Sequence, residues 1–224
     1  MKSKHLWRSI QADADVLEME LGENEWLADI QAHVKQLSGL TNDLFSLARM
    51  EEGRAPLQIL EIPISDLISE AGESFQSLAQ TQGKVIQLAV APMLSMEADE
   101  KALRQLVNIL LDNALKYSPE GGSIRLSLEK QGKLLKLTVS NPSLVPLPEE
   151  NLDRLFERFY RADPSRNSQT GGHGIGLSIA KAIVTAHGGQ IHASIAENNA
   201  LHITATLPQK QPANIMRSQA RKVP

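Results

Sequence analysis

The spacing of the apolar residues changes near residue 54, and this change restricts the folds that the chain can adopt. Before it, aliphatic side chains recur every three or four residues in two runs, separated by the polar stretch Gly22-Glu23-Asn24. After it, alternating stretches typical of strands, such as residues 57–62 and 85–89, are interspersed with further helical segments. The pattern predicts an α+β chain, with a helical hairpin over residues 1–54 and an α/β sandwich with a mixed sheet over residues 55–208.

The two helices of the predicted hairpin each carry an apolar stripe. Two antiparallel helices with a short connection cannot bury such stripes alone, and they commonly pair with a second copy to form a four-helix bundle. We therefore expect a homodimer formed through the hairpin.

Composition excludes several classes of function. The 224 residues include 23 basic and 26 acidic side chains, and the net charge of −3 argues against a general nucleic-acid binder. The absence of cysteine excludes disulfides, thiolate metal sites and cysteine nucleophiles. The sequence contains no signal-peptide pattern and no apolar run of about 20 residues, the length of a membrane span. We expect a cytoplasmic, soluble chain, or the soluble part of a membrane-anchored one.

The second region has clear element signals. Residues 99–117, with acidic Asp99 and Glu100 at the positive end, form the strongest predicted helix. Ser65 is predicted to cap a helix to about residue 81, and His187 to end a later helix as a cation beside its negative end. The other predicted elements are strands at 124–128, 135–139, 190–195 and 201–207, a short helix at 151–156 and a helix from Gly174. The tail, residues 209–224, carries basic but no acidic residues and is predicted to be disordered.

A polar constellation lies at the end of the helix over residues 99–117. Asn113 and Lys116 are three residues apart and therefore share a helical face, and Asp112 lies four residues before Lys116. An amide oxygen beside an ammonium group suits a magnesium–phosphate ligand, since Mg²⁺ prefers oxygen and phosphate prefers positive charge. The alternative is a solvated helix end with an ordinary Asp–Lys pair.

The stretch GGHGIGLS, residues 171–178, is rich in glycine and opens a helix. Glycines let backbone amides approach phosphate oxygens, and a helix start presents free N–H groups to an anion. Because the stretch does not follow a strand, it does not match a dinucleotide-binding fold. The polar residues before it, RADPSRNSQT, predict a mobile lid over a nucleotide, and the alternative is a flexible loop before a glycine-rich helix start.

The third motif, LFERFYR at residues 155–161, places arginines beside aromatic side chains. Such arginines can reach γ-phosphate oxygens as a charge clamp. The alternative is a surface arginine next to a core Phe/Tyr pair.

In this order and spacing, the three motifs resemble the N, F and G2 boxes of the sensor histidine kinase catalytic domain, in the Bergerat-fold (GHKL) ATPase superfamily. The helix ending LTNDLFSLARMEEG, residues 40–53, resembles the second half of that family's dimerisation and phosphotransfer domain. The resemblance covers residues 10–208. It implies a cytoplasmic kinase core with a histidine-kinase-type ATPase sandwich, which binds ATP and Mg²⁺ and transfers the γ-phosphoryl group to a histidine. A cognate response regulator would then take the phosphoryl group.

The resemblance also implies roles for individual residues. Asn113 would bind the metal, Lys116 and Tyr117 would lie near the phosphates, and Arg161 would lie near the γ-phosphate, so that Asn113, Lys116 and Arg161 are the expected catalytic residues. The full set expected around the nucleotide is Asp112, Asn113, Lys116, Tyr117, Asn141, Phe159, Arg161, Gly172, His173, Gly174, Ile175, Gly176 and Leu177.

The chain departs from the family pattern in its hairpin, where the histidine that accepts phosphate normally has an acidic neighbour and a following proline. His5 has neither, and the N terminus looks truncated or replaced. Autophosphorylation of this chain alone is therefore not expected, although transfer to another chain's histidine is possible.

Two further departures concern the nucleotide. Asn141 stands where the family has an aspartate for the adenine amine, and Ser143 and Val145 replace glycines, which predicts weaker ATP affinity. The family's first N-box asparagine corresponds to Ile109, and Asn108 lies about 100° away around the helix.

A pseudokinase that only binds nucleotide or dimerises is the alternative function. A gyrase-like ATPase or an anti-sigma serine kinase is disfavoured by the hairpin and the string FERFYRAD.

Overall fold

The computed structural model describes residues 9, 10, 12, 16, 17, 24–51, 57–144, 147–162, 174–196 and 199–211. Backbone contacts divide the chain into two compact units, Met1–Ala48 and Arg49–Pro224. None of the helices among the described residues has the length and apolar character needed to cross a membrane.

The first unit contains helix α1, Glu25–Glu51. Asn24 begins this helix, because its side-chain oxygen accepts hydrogen bonds from the backbone N–H groups of Trp26 at 2.9 Å and Leu27 at 3.4 Å. Leu27 and Val34, seven residues apart, are buried on one side of α1, and Leu47 is buried nearer its end. Residues 9, 10, 12, 16 and 17 are also helical, so both runs of the predicted hairpin contain helix.

The second unit alternates helices and strands. Its helices are α2 (Ile64–Ser74), α3 (Gln76–Thr81), α4 (Glu100–Tyr117) and α5 (Gly176–Ala186), with 3-10 turns at Glu149–Asn151 and Asp153–Phe156. Its strands are β1 (Leu60–Ile62), β2 (Val85–Val90), β3 (Met96–Ala98), β4 (Ser123–Gln131), β5 (Leu134–Pro142), β6 (Gln190–Ile195) and β7 (Ala200–Pro208).

The main sheet has five strands in the order β2-β4-β5-β7-β6. Strands β2 and β4 are parallel, whereas all other neighbours are antiparallel, so the sheet is mixed. Side chains alternate between the two faces, and the face that bears Leu137, Val139 and Ile203 is buried beneath the helices. The predicted α+β class with a mixed sheet is confirmed.

Helix α4 supplies much of the core. Asp99 caps it, because Oδ1 of Asp99 accepts a hydrogen bond from the Ala102 N–H at 3.0 Å. Leu103, Leu106 and Leu110 recur at helical spacing and are almost completely buried. Burying each such leucine contributes roughly 1.5–3 kcal/mol, which makes α4 the main packing element of the unit.

The structure corrects three expectations about the start of the second unit. The strand predicted at 57–62 is confined to Leu60–Ile62, and the helix expected to continue to residue 81 is divided at Phe75. Ser65 is not a helix cap: its hydroxyl donates to the Ala91 carbonyl at 2.6 Å and accepts from the Leu94 N–H at 2.9 Å. The Ser65 hydroxyl therefore forms hydrogen bonds with backbone groups of the loop after β2 and not with the N–H groups at the helix start.

The boundary predicted at residue 208 also lies too early. Gln211 is buried, and its side chain donates to the Glu97 carbonyl at 2.8 Å, while the Gln209 carbonyl accepts from the Glu97 N–H at 3.0 Å. Residues 209–211 thus extend along the edge of β3, a short strand that the sequence analysis did not include. Residues 212–224 of the predicted tail lie outside the described residues.

His187 is a neutral core residue, which corrects the expectation of a cation at a helix end. The side chain is completely buried, and burial lowers its pKa from the ordinary value of 6.5, while its hydrogen bond to the Ile183 carbonyl and the charge of Asp99 act in the opposite direction. The Asp99 backbone N–H donates to Nε2 of His187 at 3.1 Å. An acceptor role at Nε2 requires the neutral ring, so the packing selects the uncharged form.

We predict that the second unit loses stability as the pH falls from 7.5 to 5.5. Below about pH 6.5 the unfolded chain takes up a proton at His187 that the folded chain resists, so the free energy of unfolding decreases by at most about 1.4 kcal/mol per pH unit for one group. Urea unfolding at both pH values measures the effect. His187→Gln, which keeps an acceptor but does not titrate, should show a smaller decrease, and an equal decrease in both chains would contradict the prediction.

Candidate nucleotide site

The predicted residues of the first motif lie in the last turns of α4. Asp112, Asn113, Lys116 and Tyr117 are all half-buried, while Asn108 is exposed. The Lys116 ammonium contacts Asp112 Oδ2 at 2.7 Å, which is the ordinary Asp–Lys pair of the alternative interpretation. Both side chains are partly in water, where such pairs contribute only a few tenths of a kcal/mol. The pair therefore leaves Lys116 able to exchange Asp112 for a phosphate oxygen.

The N terminus of α5 lies against the middle of α4. A Cβ built on Gly176, the first residue of α5, would lie 3.4 Å from Cγ2 of Ile109, and Ile109 precedes Asn113 by one helical turn. The structure thus brings the glycine-rich helix start close to the motif on α4, as the predicted site requires.

Backbone amides at the start of α5 are presented without a competing cap. Ile175 is buried directly before the helix, and among the described residues no side chain caps this end. The Ser178 hydroxyl instead donates to the Ile175 carbonyl at 2.7 Å. The first N–H groups of a helix have no partner within it, so this end of α5, with Gly176 and Leu177, is suited to an anion.

Gly174 connects the glycine motif to the aromatic motif. Its carbonyl accepts a hydrogen bond from the Phe159 N–H at 2.8 Å, and its φ of +69° is in the region that favours glycine. A Cβ at this position would lie 2.9 Å from the carbonyl carbon of Phe159 and from the carbonyl oxygen of Tyr160. Only glycine allows this close approach of the two segments.

The aromatic motif divides into a buried and an exposed part. Phe156 packs in the core, whereas Phe159 has a φ of +63° and a 60% exposed side chain. The core Phe/Tyr pair of the alternative interpretation is therefore wrong for Phe159, because the left-handed turn directs this side chain towards solvent, while Tyr160 is half-buried. Arg161 is half-buried where this described segment ends, so its predicted contact with the γ-phosphate stays a prediction.

Arg154 holds the aromatic motif in shape, a role that sequence reasoning missed. Its guanidinium carbon lies 4.4 Å from the centre of the Tyr160 ring, and its Nε lies 3.7 Å from Glu157 Oε2. Tyr160 lies six residues after Arg154, across an irregular turn. Because neither a helical nor a strand period relates the two positions, the sequence does not indicate this contact.

Asn141 ends the buried stripe of β5 and is only 2% exposed. Its Nδ2 donates to the Pro142 carbonyl at 2.9 Å. Leu144, three residues later, donates its N–H to the Tyr117 carbonyl at 3.1 Å, which ties the loop after β5 to the end of α4. Asn141 therefore lies on the strand that leads into the predicted site, and Val145 lies outside the described residues.

Lys84 is a second residue that the sequence analysis missed. Its ammonium donates to the Leu115 carbonyl in the last turn of α4, and burial lowers the pKa of Lys84, while the nearby Glu120 raises it. A cation at this end complements the helix dipole and supports the turn that carries Lys116 and Tyr117.

Parts of the predicted site cannot be placed. Gly172 and His173 lie outside the described residues, as does the stretch interpreted as a lid, so these assignments remain predictions. The part of the chain that the structure describes holds no cluster of three or more histidine, aspartate or glutamate residues suited to a metal.

We predict that Gly174→Ala destabilises the second unit more than Gly176→Ala. The added Cβ at residue 174 meets backbone atoms at 2.9 Å and enforces a left-handed conformation that costs a residue with a Cβ about 1–2 kcal/mol. At residue 176 the Cβ meets only a methyl group at 3.4 Å. Thermal unfolding should show a loss of about 3 °C or more for the first variant and no loss for the second. Equal losses would contradict the packing of Gly174 on the aromatic motif.

Comparison with known proteins connects this geometry to a family. Residues 98–211 match the family described as histidine kinase-, DNA gyrase B-, and HSP90-like ATPase. The signal transduction histidine-protein kinase BaeS of Escherichia coli K12 is 35% identical over 184 residues, which cover 82% of this chain and 39% of BaeS. This chain thus spans less than half the length of that relative.

Solved structures show the same fold. Full-length ShkA in complex with AMPPNP aligns with a TM-score of 0.78 and 24% identity, covering 96% of this chain and 46% of ShkA. The histidine kinase ThkA in complex with the response regulator protein TrrA aligns with a TM-score of 0.65 and 22% identity, covering 93% of this chain and 60% of that one. The family match covers just over half of the 224 residues, and the resemblance found in the three motifs is confirmed. The chain belongs to the histidine kinase-, DNA gyrase B- and HSP90-like ATPase family and is a homologue of the sensor histidine kinases.

Proposed function

We propose that the second unit binds Mg-ATP between the end of α4 and the start of α5 and directs the γ-phosphoryl group to a histidine. The observation that carries the proposal is the convergence of three features. An uncapped helix start lies against Ile109, a glycine that tolerates no side chain packs on the aromatic motif, and Asn113 and Lys116 lie within two turns of Ile109. The helix start offers N–H donors to a triphosphate, and the end of α4 offers an amide oxygen and a positive charge.

The start of α5 would bind phosphate oxygens through backbone N–H groups. The positive end of the helix dipole favours an anion there, and Gly176 has no side chain to block its approach. Gly174 keeps the preceding backbone close to Phe159, so the aromatic motif lies beside the phosphates. In phosphoryl transfer the protein acts mainly by positioning and by stabilising charge, which is what these groups supply.

The end of α4 would hold the metal and balance charge. The Asn113 amide oxygen is a suitable ligand for Mg²⁺, which is commonly bound by few protein groups together with waters and phosphates. When bound, the metal neutralises charge on the phosphates. Lys116 would pair with a phosphate oxygen in place of Asp112, and Arg161 would add positive charge from the aromatic motif.

Adenine recognition would be weaker than in the family pattern. Asn141 keeps an acceptor oxygen but has no charge, and replacing a charged hydrogen-bond partner by a neutral one costs about 1 kcal/mol. We propose that the side-chain oxygen of Asn141, at the end of β5, accepts a hydrogen bond from the adenine amine. Binding is reduced in this arrangement but not abolished.

The acceptor histidine and the later partner complete the proposed cycle. No histidine of this chain has the context of the family's acceptor, so the acceptor would be supplied by another chain or by a longer form of this protein. A response regulator would then receive the phosphoryl group, and the ThkA complex with TrrA supports a partner of this kind. Because ATP is drawn from the cytosol, we place the unit in the cytoplasm.

Helix α1 supports a homodimer. Beside its buried stripe, α1 carries a second row of apolar side chains that are 37% to 51% exposed, at seven-residue intervals: Ile30, Leu37 and Leu44. A seven-residue repeat of this kind is typical of a seam between helices in a bundle. We propose that a second copy of the chain covers this row.

The dimer is testable by charge substitution. Leu37→Glu would place a carboxylate in an apolar seam and should raise the dimer dissociation constant by roughly tenfold or more, since burying an unpaired charge is costly. Lys35 is exposed on the opposite side of α1, and Lys35→Glu is the matched control. This control should leave the dimer dissociation constant within about twofold of that of the unmodified chain. Sedimentation equilibrium measures both. A dimer unaffected by Leu37→Glu would contradict the proposed seam.

Nucleotide binding tests the main proposal. Calorimetric titration with a non-hydrolysable ATP analogue should show binding that strengthens in Mg²⁺. Asn113→Ala should lose most of this magnesium effect, with affinity in Mg²⁺ falling roughly tenfold, equivalent to about 1.4 kcal/mol. Asn108→Ala removes an exposed amide from the same helix and should behave as the unmodified chain.

The outcomes separate the competing functions. Absence of binding at millimolar nucleotide would overturn the proposal. Binding without phosphoryl transfer to a supplied acceptor hairpin would instead favour the nucleotide-binding pseudokinase. An equal loss in the Asn108 and Asn113 variants would reject Asn113 as the metal ligand.

A further inference from the structure

We propose that Asp99 is a joint through which residues 57–59, the segment directly before β1, control the two helices of the nucleotide site. The segment acts through one hydrogen bond, from the Gln58 backbone N–H to Asp99. The inference goes beyond the proposed function by assigning a means of regulation, and it rests on that function because its output is nucleotide affinity.

The hydrogen bonds of Asp99 reach three separate parts of the unit. Its Oδ1 accepts from the Ala102 N–H at 3.0 Å and so caps α4. Its Oδ2 accepts from the Gln58 N–H at 2.8 Å, across 41 positions of sequence. Its own backbone N–H donates to Nε2 of His187 at 3.1 Å, at the end of α5. One residue therefore links residues 57–59, the start of α4 and the end of α5.

The link to α5 is rigid. His187 is completely buried, and its Nδ1 lies 2.8 Å from the Ile183 carbonyl. Because the Asp99 N–H occupies Nε2, the ring proton must lie on Nδ1 and donate to Ile183. Both ring nitrogens are satisfied, and the ring cannot rotate without losing two hydrogen bonds in a closely packed interior.

The nucleotide site lies at the opposite ends of the same two helices. At 1.5 Å per residue, Asn113 is about 21 Å along α4 from Asp99, and Gly176 is about 16 Å along α5 from His187. A tilt of about 3° at the joint therefore displaces the far end of α4 by about 1 Å. Displacements of that size are enough to alter binding and transfer that depend on positioning.

The bond from Gln58 is the one that can change. It is exposed to water, whereas the His187 side chain is completely buried. Residues 57–59 belong to no strand, and they lie in sequence between α1 and β1. A pull or twist on this segment would break the Gln58–Asp99 bond before any of the core bonds, leaving the Asp99 carboxylate free to reorient at the start of α4.

Removal of one backbone donor tests the joint. Gln58→Pro eliminates the backbone N–H that donates the hydrogen bond to Asp99, whereas Gln58→Ala keeps this donor. In the full chain, Gln58→Pro should weaken binding of Mg²⁺ and AMPPNP about fivefold or more in calorimetry, while Gln58→Ala should stay within twofold. The amide resonances of Gly176 and Leu177 should shift in the proline variant without nucleotide, which a purely local cap would not cause.

Asp99→Asn is a second test that does not alter the backbone. Asparagine caps helices as well as aspartate does, so the bond to Ala102 is kept, but an amide offers one acceptor oxygen and not two. This variant should reproduce the weaker binding of Gln58→Pro, and it decides the matter if the proline variant does not fold.

The two proposals fail in different ways. Unchanged affinity and unchanged Gly176 resonances in a folded Gln58→Pro or Asp99→Asn chain would overturn the joint. An unmodified chain that binds no nucleotide, with Gly176 still shifting in the variants, would reject the proposed function and keep the joint.

Discussion

The packing of α4 on the sheet is the constraint on which the rest of the second unit depends. Its apolar positions, such as Leu103, Leu106 and Leu110, are committed to the core, so the helix cannot rotate without exposing them. Because this orientation of α4 is fixed, Ile109, Asn113 and Lys116 lie on another side of the helix, where the start of α5 contacts Ile109. The candidate nucleotide site is thus a consequence of core packing: the same helix fills the interior and presents the polar groups.

Much of this arrangement could be predicted from the sequence because it depends on local periodicity. The apolar repeat of α4 and the alternation in β4, β5 and β7 indicate buried faces directly. The α+β class followed from these signals, whereas the family resemblance followed from the order and spacing of the three motifs. The positions of Asn113 and Lys116 on one face of α4 also followed from spacing alone.

Other features depend on contacts between distant segments, which no local period reveals. Strand β3 is three residues long and is held by β1 and by residues 209–211, and the second of these partners lies over a hundred positions away. His187 resembles a solvent-facing helix end in the sequence, but the Asp99 N–H meets it in the core and requires the neutral ring. Phe159 adopts a left-handed backbone because Gly174 packs on it, and a single aromatic residue gives no sign of this.

The central claim is that the end of α4 and the start of α5 form one nucleotide site. Amide NMR of the full chain, titrated with Mg²⁺ and a non-hydrolysable ATP analogue, tests it most directly. The account predicts that the largest shift changes occur together at Gly174, Gly176, Leu177 and Asn113, while the outward-facing residues of β6, such as His192, remain unchanged. Changes centred on another surface, or at α5 without α4, would contradict it.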